Sequence, residues 1–290
     1  MRQYASEHSE RWDGFDHRAG DIVVSTRSKC GTTWMQMICL LLVHQTPELP
    51  APLAELSPWL DWDALDATEV RRRLAAQPHR RVIKTHTPLD GLPLDDRVTY
   101  VVVVRHPLDV AVSLLHHARN LDRVRLAELT GLASSAPASR TTREWIDGWI
   151  RDARDPSEEL DTLPGNLHHL TDAWGRVPAG NVEVVHYEDL EADLDGSMRR
   201  LADRLGIAVR GSDWPDLVEA AGFASMQRRA SVTQPAPPGI LKDPHRFFRS
   251  GRSGDGRRAC TRDQLDRYQG RVAELAAPEV ADWLHRARPV

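Results

Sequence analysis

The stretch from Asp21 to Val43 constrains this chain more than any other. It reads Asp-Ile-Val-Val-Ser-Thr-Arg-Ser-Lys-Cys-Gly-Thr-Thr-Trp and then Met-Gln-Met-Ile-Cys-Leu-Leu-Leu-Val. Ile22, Val23 and Val24 are β-branched and apolar, which suits a short buried strand. Thr26 to Gly31 is polar and holds one glycine, so a loop is expected there. From Thr32 onward the residues are apolar on nearly every side, the pattern of a helix buried all round. That order makes an anion site, because the first N–H groups of a helix lack internal partners and carry partial positive charge. A phosphate would meet the amides of Gly31, Thr32 and Thr33, the threonine hydroxyls and the Lys29 ammonium. An ordinary capped connection with Lys29 in water fits the same residues. The loop is not a Walker A loop, which needs Gly, four residues, then Gly-Lys-Ser/Thr; here the lysine precedes the glycine.

Of the 290 residues, 41% are hydrophobic and 28% charged, enough apolar material for a sizeable core without staples. The net charge of −4 predicts no general attraction to nucleic acid or anionic membranes, so any anion site must be local. Cys30, Cys39 and Cys260 give no disulfide framework and point to a reducing compartment. Met1 to Gly20 is too polar for a signal peptide, and the longest apolar run, Met37 to Val43, is too short to span a bilayer. A cytoplasmic protein without stable membrane insertion is expected.

Residues 1–20 read as an arm pinned by Trp12 and Phe15. Further strands are expected at 80–84, 98–104 and 182–186. Val98 to Val104 is apolar except for Thr99, as in a strand covered on both faces. Pro107 is placed to begin a helix running to Asn120. Helices are also expected at 63–76, 166–174 and 197–206, with Gly206 as a C-cap, and as a terminal pair over 261–288 broken near Pro278. Residues 122–164 should hold short helices between loops. Strands alternate with helices, and polar residues collect at strand C-terminal ends. The expected fold is α/β, an open parallel sheet flanked by helices, with its ligand crevice at the carboxyl edge.

Four motifs occupy that edge: Lys29-Cys30-Gly31-Thr32-Thr33-Trp34, Lys84-Thr85-His86-Thr87-Pro88, Arg105-His106-Pro107-Leu108-Asp109-Val110-Ala111-Val112-Ser113, and Phe248-Arg249-Ser250-Gly251 with Gly254-Asp255. In this order they resemble the cytosolic-type sulfotransferases that use 3′-phosphoadenosine 5′-phosphosulfate (PAPS), over roughly residues 20–270. The chain is also similar to bacterial glycolipid sulfotransferases. The resemblance implies a P-loop-like fold in one domain over 1–290, with 232–258 as a lid over the nucleotide. It implies sulfonate transfer to a hydroxyl, with PAP as product and no metal.

The chemistry can be argued from the residues. A donor with a 5′-phosphosulfate and a separate 3′-phosphate needs two anion sites. The Lys29 loop is one. Arg105 at a strand end, with Ser113 two turns along the next helix, is the other; arginine donates two parallel bonds to phosphate oxygens. The resemblance assigns the 3′-phosphate to that pair, with Arg249, Ser250 and Gly251 closing over it. It matches Trp34 and Phe223 to an adenine clamp and Tyr187 to a nucleotide contact, with Phe248 beside them. His86 is the candidate base because imidazole titrates near neutrality, with Lys29 and Lys84 stabilising charge on the transferring group. His116, His117, His168 and His169 read as surface helix residues.

Departures from the family pattern bear on these expectations. Arg27 and Ser28 stand where Tyr-Pro is usual. Cys30 replaces a serine, and a thiol beside a lysine and a helix start is expected to be a reactive thiolate. Ser250 replaces a lysine, Ala221 a threonine and Gly256 a tryptophan. Arg257, Thr261, Arg262 and Asp266 retain the end charges of the family dimer motif, but Arg262 replaces its valine, leaving the oligomeric state open. The acceptor is expected to be a small hydroxyl compound, a phenol, sterol or glycolipid; Trp59, Leu60, Trp62, Trp145 and Trp149 hint at an aromatic or lipid-like one. Two rival readings stand beside this one: a P-loop-like nucleotide kinase or nucleoside triphosphatase, and a non-catalytic nucleotide-binding protein.

Overall fold

A computed structural model describes residues 1–131, 140–233 and 239–286. Strands β1 (Ile22–Thr26), β2 (Val82–Thr85), β3 (Thr99–Val104) and β4 (Val182–His186) form one sheet in the order β2-β1-β3-β4. All three pairings are parallel, with Val24 opposite both Lys84 and Val101. Alternate side chains feed two cores. Val23, Ile83 and Val102 pack on one face; Ile22, Val24, Val82, Val101 and Val103 pack on the other. Burial on both faces explains why β3 reads as unbroken valine.

Helix α1 (Thr32–His44) leaves β1 and buries every residue from Met35 to Leu42 against the second face. Each fully buried leucine there contributes about 1.5–3 kcal/mol. Helix α2 (Pro107–Asn120) leaves β3 with Pro107 as its first residue and the His106 ring accepting from the Leu108 amide. It covers the first face with α3 (Thr142–Arg151), α4 (Leu163–Arg176) and α5 (Arg262–Leu275).

Most expected elements are present with shifted ends. The helix expected over 63–76 starts at Ala67, where Asp66 caps it by accepting from the Glu69 amide. The strand expected over 80–84 begins at Val82, because Arg81 turns aside to pair with the buried Asp21. The terminal helices are Arg262–Leu275 and Pro278–Leu284. The Trp12 ring is fully buried and donates to Asp61 at 3.0 Å, so the arm is pinned as expected. The loop reading of Ser134 to Thr142 falls mostly outside the described residues, as does that of 235–238 before Gly239. Two surface assignments are corrected. His169 is buried, its Nε2 2.9 Å from the Ser25 hydroxyl. His168 is half-buried and bonds the Tyr4 hydroxyl at 2.7 Å. Both sit on the side of α4 that faces the sheet and the arm. Among the described residues no helix is long and apolar enough to cross a membrane.

Candidate active site

The four strands point their carboxyl ends at one cleft of about 360 Å³. Lys84 is the third residue of β2, and His86 follows its last. Arg105 follows the last residue of β3, and Tyr187 the last of β4. The Lys29 loop joins β1 to α1 through two left-handed residues, Lys29 (φ 66°) and Gly31 (φ 110°). Gly31 is required twice: by its φ, and because a Cβ there would lie 2.9 Å from the Tyr187 ring.

Three cations of the cleft rest on aromatic faces. Lys84 Nζ is 3.5 Å from the Trp59 ring centroid, Lys29 Nζ 3.9 Å from that of Phe247, and Arg105 Cζ 4.3 Å from that of Tyr187. A ring quadrupole attracts a cation without neutralising it. Burial and the neighbouring Arg105 charge push Lys29 down to about 7, with Asp161 opposing. Burial and the Lys29 charge push Lys84 down to about 7, against the pull of Asp61. Arg105 donates to the Arg252 carbonyl at 3.0 Å, while its buried Nε has no partner among the described residues. Under-neutralised cations, an orphaned guanidinium N–H and the start of α1 are the donor set that a multiply charged anion would satisfy.

His86 is 5% exposed and lies between these groups. Its Nδ1 is 2.5 Å from the Thr26 carbonyl oxygen. A carbonyl can only accept, so Nδ1 carries the proton and Nε2 the lone pair. Burial, then the charges of Lys84 and Arg27, hold the imidazole well below its ordinary 6.5. The ring is therefore neutral, with a free basic nitrogen, at neutral pH.

The segment from Phe247 to Gly256 folds across the Arg105 end. Phe248, Arg249, Ser250 and Gly251 line the cleft with Phe223. Asp109 of α2 ties this segment down, accepting from the Gly254 and Gly256 amides at 2.7 Å each. A Cβ on Gly256 would lie 2.2 Å from the Leu108 backbone, which explains why no bulky residue stands there. Trp34 is half-buried and lines the cleft, its Nε1 donating to the Ala221 carbonyl at 2.9 Å.

Every residue assigned to the donor or to catalysis from the sequence lines this cleft except Cys30, and so do Trp59 and Trp62; the acceptor candidates Leu60, Trp145 and Trp149 do not, because they pack into the hydrophobic core. Lys29, Gly31, Thr32, Thr33, Trp34, Lys84, His86, Arg105, Ser113, Tyr187, Phe223, Phe248, Arg249, Ser250 and Gly251 come together from separate segments. The Cys30 expectation is corrected: its thiol turns away from the cleft towards Asn166 of α4, 3.7 Å off, and is 3% exposed. Burial pushes that thiol up to about 12, outweighing the Arg27 and Arg105 charges, so it is not a thiolate.

Sequence reasoning gave no site role to His117, Phe247 or Asp161, which also line the cleft. His117, read as a surface residue, faces the cleft; its four-residue spacing from Ser113 on α2 was the available signal. Trp62, named with Trp59 as an acceptor candidate, stacks on it at 4.7 Å and 21°, forming a wall beside His86. Phe247 lies under Lys29. Asp161 lines the cleft while accepting from Arg27 at 2.8 Å, and nothing local in the sequence marks it.

Comparison with known proteins accounts for this arrangement. A family model described as "Sulfotransferase domain" matches residues 19–278. A glycolipid sulfotransferase of Mycobacterium bovis is 40% identical, covering 96% of this chain and 91% of the relative. One from Mycobacterium tuberculosis is also 40% identical, with the same coverage. Among solved structures, a mouse sulfotransferase complexed with PAP aligns with a TM-score of 0.71 at 20% identity, covering 98% of this chain and 95% of that one. Retinol dehydratase in complex with retinol and PAP aligns with a TM-score of 0.69 at 22% identity, covering 97% and 86%. These structural likenesses bear on the fold, while the family model and the mycobacterial relatives carry the family assignment. The parallel sheet whose carboxyl edge gathers Lys29, Lys84, a neutral His86 and Arg105 lies within the matched residues 19–278, and this chain belongs to the sulfotransferase family.

Proposed function

We propose that the chain moves a sulfonate group from PAPS to a sugar hydroxyl of a glycolipid, with His86 as general base. The observation that carries this reading is the His86–Thr26 bond, which leaves a basic Nε2 beside two lysines. Two anion-binding regions support the donor assignment. Lys29, Gly31, Thr32 and Thr33 would hold the 5′-phosphosulfate. Arg105, Ser113 and Arg249 to Gly251 would hold the 3′-phosphate, with the orphaned Arg105 Nε as one donor. Trp34, Phe223, Tyr187 and Phe248 would flank the nucleoside. Cys30 contributes no side chain.

The donor supplies an activated sulfonate. His86 Nε2 accepts the proton of the incoming hydroxyl, and Lys29 and Lys84 stabilise charge on the transferring group and the phosphate it leaves. The remaining wall suits a two-part acceptor. The stacked Trp59 and Trp62 offer flat apolar faces for the C–H surface of a sugar ring. Leu114, Leu121, Leu126, Met226, Ile240 and Leu241 offer a lining for an alkyl tail. The names of the 40% identical relatives support the same choice. On this reading residues 1–290 act as one cytoplasmic catalytic domain, with 232–258 as the lid, of which 232–233 and 239–258 are described.

A radiolabelled sulfate-transfer screen over phenols, sterols and alkyl glucosides tests the proposal. Label should appear on the glucosides and depend on His86. Label confined to phenols or sterols overturns the glycolipid assignment, and a parallel screen in which phosphate label from γ-labelled ATP reaches the acceptors while sulfate label from PAPS does not overturns the donor assignment.

A further inference from the structure

Arg27 stands at the start of the anion loop, yet it does not line the cleft. It is 1% exposed and makes three contacts. One N–H donates to the backbone carbonyl of His86. The other nitrogen donates to Glu7 of the N-terminal arm and to Asp161, both at 2.8 Å. A buried guanidinium flanked by two carboxylates is held rigidly, because losing either bond leaves a desolvated charge unpaired. Its neighbour Thr26 meanwhile accepts the His86 ring proton. Two consecutive residues therefore grip His86 at two points: Thr26 fixes the ring, and Arg27 fixes the peptide that carries it.

We infer that Arg27 is a positioning residue for the catalytic base, and that Glu7 makes the N-terminal arm a working part of the active site. The inference rests on His86 being the base. Without Arg27 the 86–87 peptide would be held only by its Thr87 amide, which donates to the Thr85 hydroxyl at 2.9 Å, and the His86 carbonyl end of it, with the ring, would lose its anchor. A misplacement of about 1 Å in such a constellation costs up to roughly a hundredfold in rate. Lysine cannot replace the arginine, since one ammonium lacks the planar fork that reaches a carbonyl and two carboxylates together. Arg27 also contributes charge. With Lys84 of β2 and His169 of α4 it faces the imidazole and disfavours imidazolium, while Thr26 alone favours it.

The test uses the full chain carrying Arg27→Lys, Arg27→Met or Glu7→Gln. Three quantities are measured: kcat for sulfonate transfer to an alkyl glucoside, affinity for adenosine 3′,5′-bisphosphate by calorimetry, and the His86 ring signals in a long-range proton–nitrogen NMR titration. Arg27→Lys is expected to lower kcat by roughly ten- to a hundredfold with bisphosphate affinity within about twofold of wild type. Arg27→Met should in addition move the His86 titration to higher pH, and Glu7→Gln should give a smaller loss in kcat. If Arg27→Met does not fold, the other two variants carry the same comparison. Wild-type kcat and unchanged His86 signals in Arg27→Lys would overturn the inference. So would losses of kcat and bisphosphate affinity in equal measure with His86 signals unmoved, since that is the mark of general structural damage. His86→Ala is run alongside: if it turns over at the wild-type rate, the base assignment fails, whereas the ring signals of the Arg27 variants still report whether the grip exists.

Discussion

The Nδ1 of His86 lies 2.5 Å from the carbonyl oxygen of Thr26, sixty residues away in sequence and at the end of the neighbouring strand. That contact fixes the tautomer. It turns a buried histidine into a neutral base whose lone pair is on Nε2. Replacing His86 by alanine should lower turnover by about two to four orders of magnitude. Bisphosphate affinity should change little, because the anion donors lie on the Lys29 loop and around Arg105. Steady-state rates with paired calorimetry check this, and a wild-type rate would remove His86 from the mechanism.

Lys29 and Lys84 should make nucleotide affinity and fold stability respond to pH in opposite directions. Both are pushed down to about 7 from the ordinary 10.5. An anion binds the protonated lysines, so bisphosphate affinity should be full below pH 7 and fall as pH rises through it. The unliganded fold has the reverse dependence. Between about 7 and 10.5 the unfolded chain binds more protons than the native one, so native stability contributed by these lysines rises with pH across that window. Calorimetric affinities and unliganded melting temperatures from pH 6 to 9 test both; parallel trends would show that neither lysine is depressed.

Arg105 should be what separates adenosine 3′,5′-bisphosphate from ADP. At a ligand concentration of about 100 times the dissociation constant, binding stabilises the native state by roughly 2.7 kcal/mol. The bisphosphate should raise the melting temperature well above the shift given by ADP, and Arg105→Ala should erase most of that difference. Equal shifts from both nucleotides in the wild type would sink the 3′-phosphate assignment. The variant should also lose a little unliganded stability, since Arg105 ties the lid carbonyl of Arg252.

Gly256→Ala should loosen the lid. Its Cβ would collide with the Leu108 backbone, which cannot step aside as a flexible side chain can. The expected cost is roughly 1–3 kcal/mol, together with faster proteolysis across 249–258 and weaker bisphosphate binding as Asp109 loses its two amide partners. Limited trypsin digestion checks this, and an unchanged cleavage rate would mean the lid docks by other contacts.

Cys30 should resist alkylation in the native protein, with or without bisphosphate, and react only on unfolding. Burial raises its pKa to about 12, so almost no thiolate exists at pH 8. Rapid labelling of the native chain followed by mass mapping to Cys30 would contradict its placement.

The parallel sheet, the Lys29 loop and most of the cleft lining are legible in local sequence. Strand alternation, the start of a buried helix and a proline after a strand are local properties, and each is set by a few neighbouring side chains. Strand C-terminal ends in a parallel sheet must share an edge, so Lys84, His86, Arg105 and Tyr187 were bound to meet. The tertiary structure decided what local patterns cannot carry. Cys30 has the right neighbours for reactivity, but the left-handed turns at Lys29 and Gly31 that flank it point its thiol under the loop, against α4. His117 looked like a surface histidine until the lid, joined to α2 through Leu121 and Leu241, roofed that face of the helix. Arg27 looked like a departure in an anion loop, and its partners Glu7, His86 and Asp161 are 20, 59 and 134 residues away. Desolvation and pairing depend on which distant surfaces close over a group, so the charge state and role of a buried side chain are properties of the fold and not of its sequence neighbours.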